Sequence, residues 1–474
     1  MSDIQNGPAG DAVRYADILI IGGGLSGTML AAQLMRLPGK RRVLVIEPRA
    51  ELGRGEAYSA VELGHTLNAN AARMSVDPDD PDDLTRWLTE YLAAGGWPQA
   101  AEQPVPVSEL FPPRGIFGLY VQQRLAEAQA QGALHGSTVE HVRAEAVDLQ
   151  IGTDAVQLTL NDGRCLDGAF AVLATGLFPV ARMPQTGGGS INSAGLDPWD
   201  VASMQQLDPQ STVLIIGSGL TMVDAVVSLE QAGHRGPIDV FSRHGLLPQV
   251  RRQPPAWVDF LAEDASIRTP LQLLRELRRH CREAVAQGID WQAPLDTVRA
   301  HIARLWSQAT DAQRRQFVRH VRPWWESHHH RSPPLSAELV ERLHREGRLS
   351  IHAATFLGLE PATDGVSIRL RRRGKIHSRV VHGAALINSS GIEYDWRRVA
   401  RPLPQQLLAR GLVQPGPLAL GIAAQADGAV LDADGQAASR LFAMGPPLRG
   451  MWWESTAVND VASQAKALAE RLVR

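Results

Sequence analysis

Two short apolar runs, each ending in glycine, organise the chain. Ile18-Leu19-Ile20-Ile21 leads into Gly22, and Val213-Leu214-Ile215-Ile216 leads into Gly217. An unalternating apolar run of this length reads as a strand buried on both faces, as in a parallel sheet. After the first run the pattern turns helical over 26–36 and returns to a strand over 42–47, so residues 17–47 read as one βαβ unit. The second run opens another such unit, whose next strand is Ile238–Ser242. Residues 68–96 read as a polar loop entering a short helix, with Trp87, Leu88 and Tyr91 at helical spacing, and 119–131 as a further helix. Strand-type patterning covers 138–176, with a hairpin turn at Asn161-Asp162-Gly163. From about 257 to 348 the periodicity is helical, marked by Leu274, Leu277 and Cys281 and then by Val298, Ile302 and Leu305. Strands return at 366–371 and 376–381 around Gly374, and again at 386–391. Residues 402–474 read as short strands closed by a helix, Val458–Leu472.

The two βαβ units lie 195 residues apart, and each is followed by a strand-rich stretch and a strand ending in glycine, Gly176 or Gly391. Two dinucleotide-binding domains account for this more simply than one large sheet. The expected fold is α/β, with two Rossmann-like dinucleotide-binding domains and a helical insertion at about 257–348 in the second. The expected boundaries are 1–189 for the first part of the first domain, 190–401 for the second domain, and 402–474 for a C-terminal return to the first.

Gly22, Gly24 and Gly27 follow the first strand in G-x-G-x-x-G spacing and open its helix. The first glycine permits the tight turn, the second lets backbone approach a pyrophosphate, and the third lets helix pack on strand. Glu47 lies twenty residues past Gly27 at the end of the next strand, where a carboxylate accepts hydrogen bonds from ribose hydroxyls. The position at the N-terminus and the second site downstream point to FAD here. A 2′-phosphate would also meet the charge of Glu47. Gly217 and Gly219 repeat the motif, with Met222 in the third glycine position. The next strand ends at Ser242-Arg243 instead of an acid, the exchange a 2′-phosphate requires, so NADPH is expected here, with Arg251 and Arg252 assisting.

Net charge is −2 with a pI near 6.7, so no global field attracts nucleic acid or an anionic membrane. Cys165 and Cys281 are the only cysteines, far apart in sequence, which argues against a disulfide framework or a thiol relay beside a flavin, and both read as small buried residues. The first fifteen residues lack the basic and apolar segments of a leader, and no run approaches the roughly 20 apolar residues of a membrane span. A cytoplasmic protein acting on a small molecule is expected.

The motifs Gly22–Gly27 with Glu47, Leu67-Asn68-Ala69-Asn70-Ala71-Ala72-Arg73-Met74-Ser75, Asp197-Pro198-Trp199-Asp200, 217–224, and 441–450 followed by Trp453-Glu454-Ser455-Thr456 spread over nearly the whole chain. In their order the chain resembles the two-dinucleotide-domain flavoproteins that include flavin-containing and N-hydroxylating monooxygenases. Among them it looks closest to a branch of FAD/NAD(P)-binding proteins, one type of which makes nitrosuccinate by oxidising the nitrogen of aspartate. The resemblance implies FAD, NADPH and oxygen as reactants. A peroxide of the reduced flavin would pass one oxygen to a nucleophilic atom, by preference the nitrogen, of a small amino or carboxylate metabolite. It further implies that the 68–75 loop lies against the flavin, with Asn70, Arg73 and Ser75 as polar contacts. Thr456 would meet the flavin at the start of the last helix, beside Trp453. Two departures stand out. The Baeyer–Villiger fingerprint is absent, and the glycine–aspartate step that often holds the ribityl chain reads Met444-Gly445-Pro446-Pro447. Gly445 remains a cofactor candidate, with backbone near Gly450 as a substitute for the missing acid. A reductase or dehydrogenase without oxygen transfer, or a flavin-bound redox sensor, is the alternative reading.

Two segments invite other chemistry. The acidic stretch 77–83 lacks the glycine of a calcium loop, so Asp82 or Asp83 is expected to cap the next helix. Residues 251–331 hold 14 arginines, no lysine, 9 acids and six histidines. Arg322-Pro323-Trp324-Trp325-Glu326-Ser327-His328-His329-His330-Arg331 reads as a loop within it, in which Arg322, Arg331 and His328 are candidates for gripping a substrate carboxylate. Three adjacent histidines cannot converge on one ion, so no metal site is expected.

Overall fold

Strand β1 (Arg14–Ile21) has a parallel partner on each side, so Ile18-Leu19-Ile20-Ile21 is buried on both faces and needs no polar alternation. The computed structural model describes residues 14–179, 183, 195–263, 266–267 and 269–474; the first thirteen residues and the expected boundary between 189 and 190 lie outside that set. Helix α1 (Leu25–Arg36) crosses from β1 to β2 (Arg42–Ile46), which lies beside β1 with Ile18 opposite Val43. Helices α2 (Asp83–Ala93) and α3 (Arg114–Ala133) follow, then β3 (Thr138–Val142) parallel to β2. The hairpin of β4 (Ala146–Ile151) and β5 (Val156–Leu160) precedes β6 (Cys165–Leu173), and Gly163 turns β5 into antiparallel β6 at φ +86°. Helix α3 starts five residues before the expected 119. Its first turns carry Gly115 and Gly118, poor helix formers that are required here because a Cβ would lie 2.4 Å from Ala60 O and 2.8 Å from Tyr58 O.

After β7 (Phe178–Pro179), the second domain begins with α4 (Val201–Gln205), β8 (Val213–Ile216), α5 (Leu220–Gln231) and β9 (Ile238–Ser242). The helical stretch contains α6 (Phe260–Glu263), α7 (Pro270–Ala286), α8 (Gln292–Thr297), α9 (Ile302–Gln308), α10 (Asp311–Gln316), α11 (Arg322–His329) and α12 (Pro334–Arg345). It divides in two. Val340 and Leu343 of α12 join the core of the second sheet, whereas Phe260, Leu295, Val298, Ile302, Trp306 and Trp325 gather around a core of their own with Leu420 and Trp453. Strand β10 (Leu349–Glu360) was not expected; its first half extends the parallel sheet beside β9 and its second half pairs antiparallel with β11 (Val366–Arg372), across a register shift at Gly358. Strands β12 (Ser378–Gly383), β13 (Ala385–Asn388) and β14 (Ile392–Glu393) follow, and β14 pairs with β7. The second sheet has the order β12-β11-β10-β9-β8-β13.

The C-terminal stretch opens with α13 (Pro402–Ala409), another unexpected element, with proline at its first position where the missing N–H costs nothing. Strands β15 (Ala429–Leu431) and β16 (Ala437–Ala443) then rejoin the first sheet, in the order β15-β16-β6-β1-β2-β3, and α14 (Val458–Leu472) packs against α1. Three further expectations are corrected. Neither Asp82 nor Asp83 caps α2 with its side chain; Asp83 is buried, pairs with Arg124 at 2.8 Å and accepts the Tyr120 hydroxyl at 2.5 Å. Cys165 and Cys281 are half-buried, with free thiols. The segment from Arg322 to His329 is a helix, not a loop. Among the described residues no helix is long and apolar enough to cross a membrane.

The two sheets are joined through α5. Asp224 in its first turns is buried and forms an ion pair of 2.8 Å with Arg114 at the start of α3. His65 Nε2 lies 2.6 Å from the Ser228 hydroxyl one turn further along α5. Burial raises the Asp224 carboxyl above its ordinary range against the opposing pull of Arg114 and His65. An Arg114→Ala substitution strands this acid, and we expect a loss of about 3 kcal/mol in denaturant unfolding at neutral pH. The double variant Arg114→Met/Asp224→Leu should regain most of that loss; equal destabilisation in both variants contradicts the assignment.

Candidate active site

The glycine loop after β1 is shaped by contacts a side chain would block. Gly22 has φ +108°, and a Cβ there would lie 2.3 Å from Ala174 O; a Cβ on Gly27 would lie 1.9 Å from Gly22 O. Gly24 is the N-cap of α1 and offers no side-chain cap, so the first amides of the helix are left for an anion. Glu47 is buried at the end of β2, where its Oε2 accepts the Gly23 amide at 2.9 Å and its Oε1 accepts from the Arg49 amide and guanidinium, each at 3.1 Å. Gly445, at φ +70°, lies against the first turn of α1, because a Cβ there would come within 2.4 Å of Ser26 Oγ. The C-terminal return thus closes the same cradle.

Beyond this cradle opens a cavity of about 460 Å³ between the 68–74 loop, the helical insert and the start of α14. Arg73 and Thr456 line it, together with Tyr58, Arg251, Asp296, Arg299, His329, His330 and Glu454. Arg73 is paired with Asp296 at 3.2 Å. Asn70, Ser75 and Trp453 are placed elsewhere. Asn70 is buried and donates to Gln253 at 3.1 Å. The Ser75 hydroxyl turns to the acidic loop, donating to Asp80 O at 2.6 Å and accepting from the Asp77 amide at 3.1 Å. Trp453 is in the insert's core, 4.8 Å from Trp306 and 5.0 Å from Phe317 between ring centres. Both backbone groups of Gly450 are engaged, its N–H by Leu420 O and its carbonyl by the Trp306 indole, so it is not available to replace the missing aspartate.

A second cavity, of about 560 Å³, lies over the other glycine loop. Gly217 has φ +101°, and a Cβ there would lie 2.0 Å from Ser389 O, while Gly219 has open space at its Cβ and leaves α5 without a side-chain cap. Met222 is fully buried in the core of the second sheet, so the helix start tolerates it. Ser242 and Arg243 both line the cavity. Ser242 accepts from the Ser218 hydroxyl at 2.8 Å, and Arg243 is exposed with no hydrogen-bond or ion-pair partner among the described residues. Arg251 and Arg252 do not assist here. Arg251 lines the first cavity and donates from Nε to Asn68 O at 2.8 Å, and Arg252 pairs with Asp290 at 2.6 Å.

The helix over Arg322–His329 separates its residues by face, with His330 as its C-cap and Arg331 just beyond it. Arg322, Glu326 and His330 recur at four-residue spacing and line the second cavity, with Arg322 bound to Glu326 at 2.7 Å. His328 and Arg331 line neither cavity: the His328 ring meets Trp324 O at 2.8 Å, and Arg331 is fully buried with Asp296 at 2.7 Å. Arg322, Arg331 and His328 therefore do not converge on one carboxylate. His330, which sequence reasoning passed over, is the one residue among those described that lines both cavities. Burial, with Arg449, Arg251, Arg299 and Arg322 around it, pushes its imidazole down to about 3. Arg251 itself is pushed down to about 10 by burial and by Arg331. Helical periodicity in a segment read as a loop was the signal that could have found His330.

Residues 19–178 match the FAD-NAD(P)-binding family, so the first cradle belongs to an FAD-NAD(P)-binding domain. No curated protein sequence matches the chain. In fold the chain is similar to the ornithine N-hydroxylase of Kutzneria sp. 744, at 14% identity over 97% of this chain and 99% of that one, with a TM-score of 0.64. L-lysine 6-monooxygenase from Pseudomonas syringae is similar at 15% identity over 97% and 99%, with a TM-score of 0.64. The cadaverine monooxygenase of desferrioxamine biosynthesis from Erwinia amylovora is similar at 11% identity over 97% and 94%, with a TM-score of 0.61. The chain thus has the two-domain fold of FAD- and NADP-binding flavoprotein monooxygenases.

The depressed imidazole has a consequence for stability. In the unfolded chain a histidine takes up its proton below about pH 6.5, whereas folded His330 stays neutral down to about 3. Stability contributed by the neutral ring is therefore lost as pH falls through that window. Denaturant midpoints should drop from pH 7 to pH 4, with a slope shallower by about one proton in His330→Gln. An unchanged slope in that variant contradicts the neutral state.

Proposed function

We propose that the chain is an FAD-dependent, NADPH-consuming monooxygenase that oxygenates the nitrogen of a small amine. The observation that carries this reading is the meeting of the two clefts at His330. FAD fits the first cradle, with its phosphates at the free amides of α1, a ribose at Glu47 and its ring system in the adjoining cavity. NADPH fits the second, with its pyrophosphate at the start of α5 and its 2′-phosphate at Ser242 and the unpartnered Arg243. Arg322 and His330, which also line the second cavity, would hold the nicotinamide end, where hydride transfer to the flavin would be supplied. When bound, the flavin accepts hydride from NADPH and passes one atom of O₂ to the substrate. The net reaction is R–NH₂ + O₂ + NADPH + H⁺ → R–NHOH + H₂O + NADP⁺.

The protein's share is placement and exclusion of water. The insert packs Trp306, Phe317 and Trp325 with Trp453 of the C-terminal stretch, and its Arg299, His329 and His330 line the flavin-side cavity. Neutral His330 presents a ring without charge where hydride must pass. Among the described residues Arg251 donates from Nε to Asn68 O, which leaves its terminal nitrogens for a substrate carboxylate. A disulfide reductase would need thiols at the junction, and neither Cys165 nor Cys281 lines a cleft. The three similar structures, named for ornithine, lysine and cadaverine, support an amine as substrate. Free thiols and a demand for NADPH fit a cytoplasmic setting.

The test is oxygen uptake by the FAD-loaded protein with NADPH and, in turn, L-ornithine, L-lysine, cadaverine and L-aspartate. At least one amine should raise oxygen uptake and yield a hydroxylamine in proportion to NADPH consumed. Hydrogen peroxide as the only product with every amine contradicts the reading. In the same assay Arg243→Ala should raise KM for NADPH about tenfold while leaving NADH unaffected, the loss of one charge-assisted phosphate contact. An equal rise for both nucleotides contradicts the placement of the 2′-phosphate.

A further inference from the structure

The lining of the flavin-side cavity is rich in charge, and nearly all of it is matched. Asp296 is shared by Arg73 and Arg331, at 3.2 and 2.7 Å, Arg299 pairs with Asp460 at 3.1 Å, and Arg251 is bound to Asn68 O. Among the described residues Arg251 is one exception, with no carboxylate partner, and Glu454 is the other. Glu454 is 6% exposed, lines the cavity just before α14, and its Oε1 accepts no hydrogen bond from any described residue. Among the described residues its nearest titratable partner is His329 Nε2, at 3.8 Å. That ring is buried and stacked on Trp325 at 4.5 Å, and burial with the surrounding cations holds it neutral. Arg449 and Arg299 act on Glu454 from the attractive side, and Asp460 and Glu326 from the repulsive side, while burial dominates and raises its carboxyl above the ordinary range.

A buried carboxylate with no cation in contact is costly for a chain to keep, and the cost is relieved by a cationic ligand. We propose that Glu454 receives the ammonium group of an amine substrate and takes its proton, so that the nitrogen enters the reaction with a free lone pair. The step is R–NH₃⁺ + Glu454–COO⁻ → R–NH₂ + Glu454–COOH: the N–H bond breaks, an O–H bond forms, and the electron pair of the broken bond stays on nitrogen. An ammonium ion has no lone pair to attack with, so oxygenation at nitrogen requires this transfer. The proposal rests on the amine-oxygenating reading above and assigns the residue that would select a cationic amine and activate it.

The experiment uses FAD-loaded wild type, Glu454→Gln and Glu454→Asp, with L-ornithine, L-lysine, cadaverine and L-aspartate as probes. FAD content, anaerobic reduction by NADPH, and hydroxylamine formation against pH are measured for each. In Glu454→Gln, kcat/KM for the accepted amine should fall about 100-fold, the usual scale for losing one partner of a buried charge pair. The fall in activity on the acid side of the wild-type profile should vanish with it. FAD content and reduction by NADPH should be unchanged, and Glu454→Asp should restore part of the rate. Wild-type kinetics and pH profile in Glu454→Gln overturn the proposal and leave the amine-oxygenating reading standing. Loss of FAD in that variant also overturns it, since the carboxylate then holds the cofactor. If the wild type oxygenates none of the four probes, the amine reading fails and this inference falls with it.

Discussion

The buried ion pair between Arg114 and Asp224 fixes the rest of the site. Asp224 is in the helix that starts at the second glycine loop, and Arg114 begins the helix that flanks the first cradle. Holding these two groups 2.8 Å apart holds one nucleotide loop in place against the other domain. The surroundings leave little slack. A Cβ on Gly64 would lie 2.4 Å from the Gln231 amide and 2.8 Å from Val227, so the 62–66 loop presses directly on the same helix. Two Rossmann units with such an interface present their clefts to each other at a set distance, which is what transfer between two dinucleotides requires.

The helical insert builds on that arrangement. It crosses from the second domain to the first through few but specific contacts: Arg251 with Asn68, Arg73 with Asp296, Arg299 with Asp460, and the Trp306 indole with Gly450 O. Its apolar core takes in Trp453 and Leu420 from the C-terminal stretch. His330 stands at the end of α11 where the two cavities touch. Burial first, and then Arg449, Arg251, Arg299 and Arg322 around it, keep that imidazole neutral.

The parts of the fold that follow from short-range pattern were legible in the sequence. The two glycine motifs could be read because each glycine answers a local steric demand: the turn at Gly22, the helix contact at Gly27, the approach to Ser389 at Gly217. Ser242 and Arg243 could be read for the same reason, since the strand end delivers them to the cleft. Strand β10 was missed because its two halves serve different pairings, so no single alternation runs through it. The 322–331 segment was misread as a loop because its proline and histidines obscured a helical spacing of four. With the wrong periodicity Arg331 and His328 looked equivalent to Arg322, whereas the helix turns His328 to another face and ends before Arg331, which is buried against Asp296. Glu454 was present in a quoted motif but carried no signal of its own. Its significance is that its Oε1 accepts no hydrogen bond among the described residues, which only the packing of the C-terminal stretch against the insert reveals.

The central claim is that the two clefts open on one another, so that a nicotinamide in the second reaches a flavin in the first. Its most direct test is anaerobic mixing of the FAD-loaded protein with NADPH deuterated at either the pro-R or the pro-S position of the nicotinamide C4. The account predicts complete bleaching of the flavin, slowed several-fold by deuterium at one of the two positions only, because a fixed geometry presents one face of the ring. A flavin that stays oxidised, or reduction indifferent to which hydrogen is labelled, contradicts it.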